Sequence, residues 1–192
     1  MVKAKYEDKA VIVNILASAF KENQSVNFIV RQDKFLSRRI SALMEYSFKI
    51  CYRFGEVWIS NDRKACALTL SPHLKRTSLA SIWLDINLIF RAIGINGIVK
   101  TIKRESQVKK LQPNEKMVYL WFIGVAPLYQ HRGIGSNLLR EIITDADEKK
   151  LMVCLETSTL KNLPWYERFG FEIYNQLELG YTLFFLKRKP KD

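Results

Sequence analysis

The segment Gln130-His131-Arg132-Gly133-Ile134-Gly135-Ser136 is the part of this sequence best suited to chemistry. It follows an apolar run, Val118 to Val125, that reads as a buried strand, and it opens residues with the apolar spacing of a helix. The first-turn amides of a helix have no internal acceptors, and that end carries partial positive charge. Gly133 and Gly135 place no side chain between those amides and a ligand, so anionic oxygens can approach the backbone closely. The expected ligand is a diphosphate, with Arg132 supplying extra charge. A nucleotide P-loop is excluded because the required Gly-Lys-Ser/Thr spacing is absent. The dinucleotide fingerprint fits poorly, since it needs three glycines near the first strand of a doubly wound unit.

The surrounding elements have to hold this turn in place. Met117 to Val125 form a central strand, Gly133 to about Lys149 a helix, and Leu151 to Glu156 a second inner strand. A short helix is expected over Leu163–Phe169, then an antiparallel pair over Phe171–Asn175 and Tyr181–Lys187. Upstream, the spacing predicts a helix over 11–20 capped by Asp8, and a long amphipathic helix over Asp33–Arg53. A hairpin follows over 56–70. Residues 78–93 read as a buried helix, and 98–111 as a basic helix with a thin stripe of Ile98, Ile102 and Leu111. This order implies an α/β (α+β) mixed sheet with helices on both faces.

The chain has 192 residues, 48% hydrophobic and 26% charged, so disordered, collagenous and low-complexity classes are excluded. One domain over 1–192 is expected, with no internal repeat and no flexible linker. Thirty-one Lys and Arg against 19 Asp and Glu give +12, a balance that favours anionic partners. The visible clusters are Arg38-Arg39, the 100–110 segment, and the tail around Lys187–Lys191. Cys51, Cys66 and Cys154 are widely spaced in a chain with two histidines, so no metal site is expected. No apolar leader and no run of about 18 to 20 apolar residues is seen, so neither membrane attachment nor export is expected, and the default compartment is the cytoplasm.

Taken together, Gln130-x-x-Gly133-x-Gly135 after Val125-Ala126-Pro127, and Pro164-Trp165-Tyr166-Glu167-Arg168-Phe169-Gly170-Phe171 downstream, resemble the GCN5-related N-acetyltransferase (GNAT) superfamily. The close resemblance covers roughly Met117 to Phe171. It implies an acyl-CoA N-acyltransferase fold in which two central parallel strands splay apart. It also implies acetyl-CoA as cosubstrate and transfer of the acetyl group to a primary amine by direct attack through a tetrahedral intermediate. Residues 1–112 would then be mainly acceptor side, and 113–192 the coenzyme core.

Carried onto this sequence, the resemblance puts the diphosphate on Gln130, His131, Arg132, Gly133, Ile134, Gly135 and Ser136. The splay is expected at a bulge around Ile123, Gly124 and Val125, where the pantetheine arm pairs with the strand and the Val125 amide faces the acetyl carbonyl. Tyr166 is the expected acid for the departing thiolate. The position of a pantetheine-holding asparagine is Thr159 here. Asn162 matches a second asparagine of some branches and is expected to cap the short helix or bind the arm. The base is open. Tyr119, Trp121 and Ile123 stand where some relatives carry glutamate, which leaves Glu156, Glu56, a water chain or an acceptor that arrives neutral.

The acceptor is a small-molecule amine or a peptide amine, and Tyr46, Tyr52, Trp58, Trp83 and Phe90 are candidates for either its pocket or the core. A monomer or homodimer is expected. The alternatives are a non-catalytic acyl-CoA-binding sensor and, through the basic 100–110 segment and tail, a nucleic-acid-binding protein. No nucleic-acid-binding motif accompanies that charge, so nucleic acid is not the expected partner.

Overall fold

Alternating side chains sort the strands into one seven-stranded sheet with two buried faces. The structure, a computed structural model, describes residues 1–191. Strands β1 (Val2–Lys3), β2 (Gly55–Ile59), β3 (Ala65–Leu70), β4 (Met117–Val125), β5 (Met152–Thr157), β6 (Glu172–Glu178) and β7 (Thr182–Arg188) lie in the order β1-β2-β3-β4-β5-β7-β6. All neighbours are antiparallel except β4 and β5.

Helices α1 (Lys9–Ala19), α2 (Gln24–Ile29) and α3 (Leu36–Phe54) cover one face through Ile12, Leu16, Val26, Leu43 and Phe48. Helices α6 (Ile134–Glu148) and α7 (Leu163–Glu167) cover the other through Leu138, Leu139, Ile142 and Tyr166. Between β3 and β4 come α4 (Leu79–Leu88), a wide π turn over Ile89–Ile93, and α5 (Ile98–Leu111). Val108 of α5 packs on Leu183 and Phe185 of β7.

Several expectations change. Asp8 does not cap α1; its carboxylate accepts from the Lys5 amide at 2.8 Å. Asn23 caps α2 by accepting from Val26 N–H at 3.0 Å. The 78–93 helix exists but is not buried: Leu79, Trp83 and Phe90 are 88%, 64% and 66% exposed. Within α5 the inward residues are Arg104 and Val108, whereas Ile102 faces solvent.

The parting between β4 and β5 is what matters for function. Their ladder holds only at Met117–Met152, Val118–Val153 and Tyr119–Cys154. Beyond Tyr119 the two strands run on without pairing. On the β3 side, Phe122 stands opposite Leu68 and Leu120 opposite Thr69, so Trp121 is an extra residue in β4. The bulge therefore sits at Trp121, not around Ile123, Gly124 and Val125. One inserted residue rotates the alternation, so Trp121 and Phe122 both pack toward the α1–α3 face. Ile123 is turned to the α6 face with Val125.

Candidate active site

A cleft of about 1240 Å³ enters through this parting. Its walls include β4 from Tyr119 to Val125, the first turn of α6, β5 from Glu156 onward, and α7. It brings together nearly every residue singled out from the sequence: Ile123, Gly124, Val125, Gln130, His131, Gly133, Ile134, Gly135, Ser136, Glu156, Thr159, Asn162 and Tyr166.

Arg132 is not on its wall and instead lies 5.3 Å from the Tyr129 ring. Glu56 is also elsewhere. Its carboxylate accepts from Lys3 at 2.7 Å and Lys149 at 3.1 Å, joining β2 to the start of the sheet and the end of α6. Burial pushes that carboxyl up, but the two lysines outweigh it and hold it below the usual range. A carboxylate neutralised twice and outside the cleft is not a base for this site.

The turn into α6 is built from two left-handed residues, His131 (φ 62°) and Gly133 (φ 77°). Gly133 is the N-cap, and no side chain caps the helix, so its first-turn amides are left to face the cleft. Gly133 is needed for its dihedral, because a Cβ there would meet nothing within 4 Å. Gly135 is needed for space: a Cβ would stand 3.2 Å from Val125 Cγ2 and 3.9 Å from the Trp165 ring. The Gln130 amide donates to the Val125 carbonyl at 3.2 Å and braces the turn. Ser136 Oγ accepts from Trp165 Nε1 at 2.9 Å, which ties α6 to α7.

Gly124 has a different job from easing the bulge. A Cβ on it would lie 3.0 Å from Leu16 Cδ2 and 3.4 Å from Ala19 Cβ, so it lets α1 sit against the sheet. Next to it, the hydrogen-bond alternation fixes the Val125 amide. Ala126 N–H donates to Lys64 O at 2.8 Å on the β3 side. One residue back, and opposite Ala65, the Val125 N–H must point to the other edge, which is the parted one. That edge carries no β5 partner at this level.

Tyr166 is buried at 6% exposure and packs against Trp165 and Phe171 on the α6–α7 side. Burial alone pushes its phenol above the ordinary value, so the hydroxyl stays protonated near neutrality. Glu156 lies on the opposite side of the parting, next to Cys154 in the alternation, and accepts from the Tyr119 hydroxyl and from Gln112 Nε2 at 3.0 Å. Burial raises this carboxyl; the Gln112 and Tyr119 hydrogen bonds and nearby Arg104 pull against it without cancelling the rise. A poised proton acceptor and a protonated donor therefore flank the same opening.

Asn162 precedes α7 without capping it, and Thr159 N–H donates to Thr157 Oγ1 at 3.1 Å. Ser158 was not singled out from the sequence. Its hydroxyl oxygen is buried on the cleft wall with no partner among the described residues, an acceptor and donor waiting for a ligand group. Tyr119 and Gln112 were missed as partners of Glu156, because their meeting is set by the tertiary fold and not by local spacing. None of Tyr46, Tyr52, Trp58, Trp83 and Phe90 lines the cleft; its aromatic residues include Phe20, Tyr119, Trp121 and Phe122.

Known proteins share this arrangement. The family model of the Acetyltransferase (GNAT) domain matches residues 88–173, which contain the α6 turn, the parting and Tyr166. That match spans just under half of the chain. A Schizosaccharomyces pombe protein described as an uncharacterized N-acetyltransferase is 40% identical over 58 residues, 30% of this chain and 23% of that protein, so the match spans about a quarter of that relative. A Corynebacterium glutamicum structure described as histone acetyltransferase HPA2 and related acetyltransferase superposes with a TM-score of 0.71 at 17% identity, covering 100% of this chain and 96% of that one. The Escherichia coli ribosomal-protein-S18-alanine N-acetyltransferase gives a TM-score of 0.53 at 14% identity, over 98% and 91% of the two chains. At these identities the structural likeness fixes the GNAT fold, a mixed α/β sheet with one parallel pair.

The residues present here fit the coenzyme used by proteins with the GNAT domain. A glycine turn opens onto uncapped amides, a Cβ at Gly135 would crowd the passage between Val125 and Trp165, and the Ser158 hydroxyl is orphaned beside it.

Proposed function

We propose that this protein is an acetyl-CoA-dependent N-acetyltransferase acting on a primary amine of a small molecule or peptide. The observation that carries the reading is the parted β4–β5 edge, where the Val125 N–H and the uncapped α6 amides face one cleft. When bound there, acetyl-CoA supplies the thioester to be attacked.

The amides of Ile134, Gly135 and Ser136 hold the diphosphate, and Ser158, Thr159 and Asn162 hold the arm. The Val125 N–H stabilises negative charge on the carbonyl oxygen as the amine nitrogen bonds to the carbonyl carbon. Glu156 accepts the proton lost by the amine, directly or through water, on the α1–α5 side of the opening. Tyr166 donates its proton to the sulfur as the carbon–sulfur bond breaks, from the α6–α7 side. The acceptor thus approaches from the side of Glu22, Arg104, Glu105 and Gln112, and the thiol leaves on the other.

A thiol-release assay over a panel of amines and peptides, run with an acetyl-CoA binding titration, tests this. Binding with amine-dependent release is expected. Absence of binding at millimolar coenzyme would overturn the assignment, and binding without release to any acceptor would leave a coenzyme-binding protein in its place.

A further inference from the structure

Leu79, Ile82, Trp83, Ile86 and Phe90 recur at helical spacing along α4 and the π turn, the pattern of a helix face that belongs in an apolar environment. In this fold they face solvent. Across the break at Gly94, Ile95, Val99 and Ile102 are exposed as well, Val99 at 79%. Eight exposed large apolar residues along one bent segment mark an interaction site.

The charge beside it says what covers it. Residues 75–111 carry eight Lys and Arg against two Asp and Glu, and the two acids are engaged: Asp85 accepts from the Tyr46 hydroxyl and Glu105 pairs with Arg104. Lys75, Arg76, Lys100, Lys103, Lys109 and Lys110 make no ion pair among the described residues. An apolar stripe with a tryptophan, bordered by free cations, is the composition of a segment lying in the headgroup boundary of an anionic bilayer.

We propose that the bent α4–α5 pair docks the protein on an anionic lipid surface. No single helix is long and apolar enough to cross a membrane. The two segments meet at 103°, and α5 carries lysines along its length, so the pair lies in the interface with Leu79, Trp83, Phe90 and Val99 inserted and the lysines at the phosphates. A second copy of the chain is a poorer occupant, because a two-fold contact would bring the same unpaired cations together. Docking there has a geometric consequence. Thr77 just before α4, Ser81 and Asp85 on it, and Arg104 and Lys109 on α5 line the acceptor end of the cleft, so that mouth would open close to the membrane plane.

Cosedimentation with vesicles of phosphatidylcholine mixed with phosphatidylserine, against pure phosphatidylcholine, tests the proposal whether or not the protein transfers acetyl groups. Salt-sensitive binding to the mixed vesicles is expected, weakened about tenfold or more by Trp83→Ser with Phe90→Ser and likewise by Lys100→Glu with Lys103→Glu. Trp83 and Phe90 lie outside the cleft, so coenzyme affinity should not change; circular dichroism checks that each variant is folded. Trp83→Phe should keep the binding and lose a vesicle-induced blue shift of tryptophan emission. No binding to anionic vesicles, or binding indifferent to the Trp83 and Phe90 changes, overturns the proposal. So does a dimer that those changes return to monomer without any vesicle binding.

Discussion

The Tyr119 hydroxyl donates to the Glu156 carboxylate at the point where β4 and β5 cease to pair. Tyr119 is the last β4 residue in the ladder, and Glu156 stands two residues past its partner Cys154. The hydrogen bond therefore spans the throat of the cleft, with Gln112 of the α5 terminus closing the third side. It gives a half-buried acid a fixed orientation, while burial keeps the proton affinity of that acid above that of an ordinary carboxylate.

A base must be ionised to act, so transfer should rise with pH through the elevated Glu156 value. Glu156→Gln should lower the rate by about a hundredfold or more and flatten that acid limb. Tyr119→Phe removes a bond that favours the ionised form, so the limb should move to higher pH. The stability sign is opposite. A carboxyl raised in the folded state contributes stability below its unfolded value of about 4.3, and that contribution is lost as pH rises through the folded one. Melting curves from acid to neutral pH should therefore show Glu156→Gln gaining on the parent chain as pH rises. A rate profile unchanged by Glu156→Gln would return the proton to water.

In the proposed reaction Tyr166 is the donor on the other side, and burial is the one cause that raises its hydroxyl above the ordinary value. Tyr166→Phe should reduce thiol release about a hundredfold and leave coenzyme affinity and melting temperature nearly unchanged. Equal losses in affinity and turnover would make it a packing residue.

The glycines of the α6 turn differ in what they tolerate. Gly133→Ala meets no atom but must hold φ at 77°, a backbone cost of about 1 kcal/mol. Gly135→Leu pushes side chain between Val125 and Trp165 and into the path to the first-turn amides. Calorimetric titration should show a small loss for the first and loss of most coenzyme affinity for the second. If Gly135→Leu binds acetyl-CoA as the parent does, the diphosphate is held elsewhere.

Local chemistry was legible in the sequence and tertiary direction was not. The α6 turn, Tyr166 and the succession of elements around them could be read because a glycine turn, an apolar run and a family motif are short-range signals. The position of the bulge could not, since an extra residue in β4 is defined only against β3 across the ladder. The same limit misplaced Glu56: strand alternation says a carboxylate leaves one face, and only the packing of Lys3 and Lys149 shows that it is consumed there. For α4, periodicity revealed an apolar face but not that it points away from the core.

The last relationship concerns what keeps Tyr166 in place. Arg188 at the end of β7 donates to both Asp147 oxygens, at 2.7 and 3.0 Å, and its Nε donates to the Phe169 carbonyl at 3.1 Å. One nearly buried guanidinium thus joins the end of α6, the end of β7 and the turn that follows α7. The Arg188 hydrogen bonds hold the Asp147 carboxyl below its ordinary range. Stability from this pair is therefore present above the unfolded carboxyl value of about 3.9 and is lost as pH falls through the depressed one. Asp147→Asn should cost about 1–3 kcal/mol near neutrality, the range between an exposed and a fully buried pair, and less in acid. Arg188→Met should cost more, because it also frees the Phe169 carbonyl and loosens α7, so turnover should fall with stability. A double-variant cycle read by chemical denaturation separates the two parts: coupling near zero would mean that Arg188 acts through Phe169 and not through Asp147.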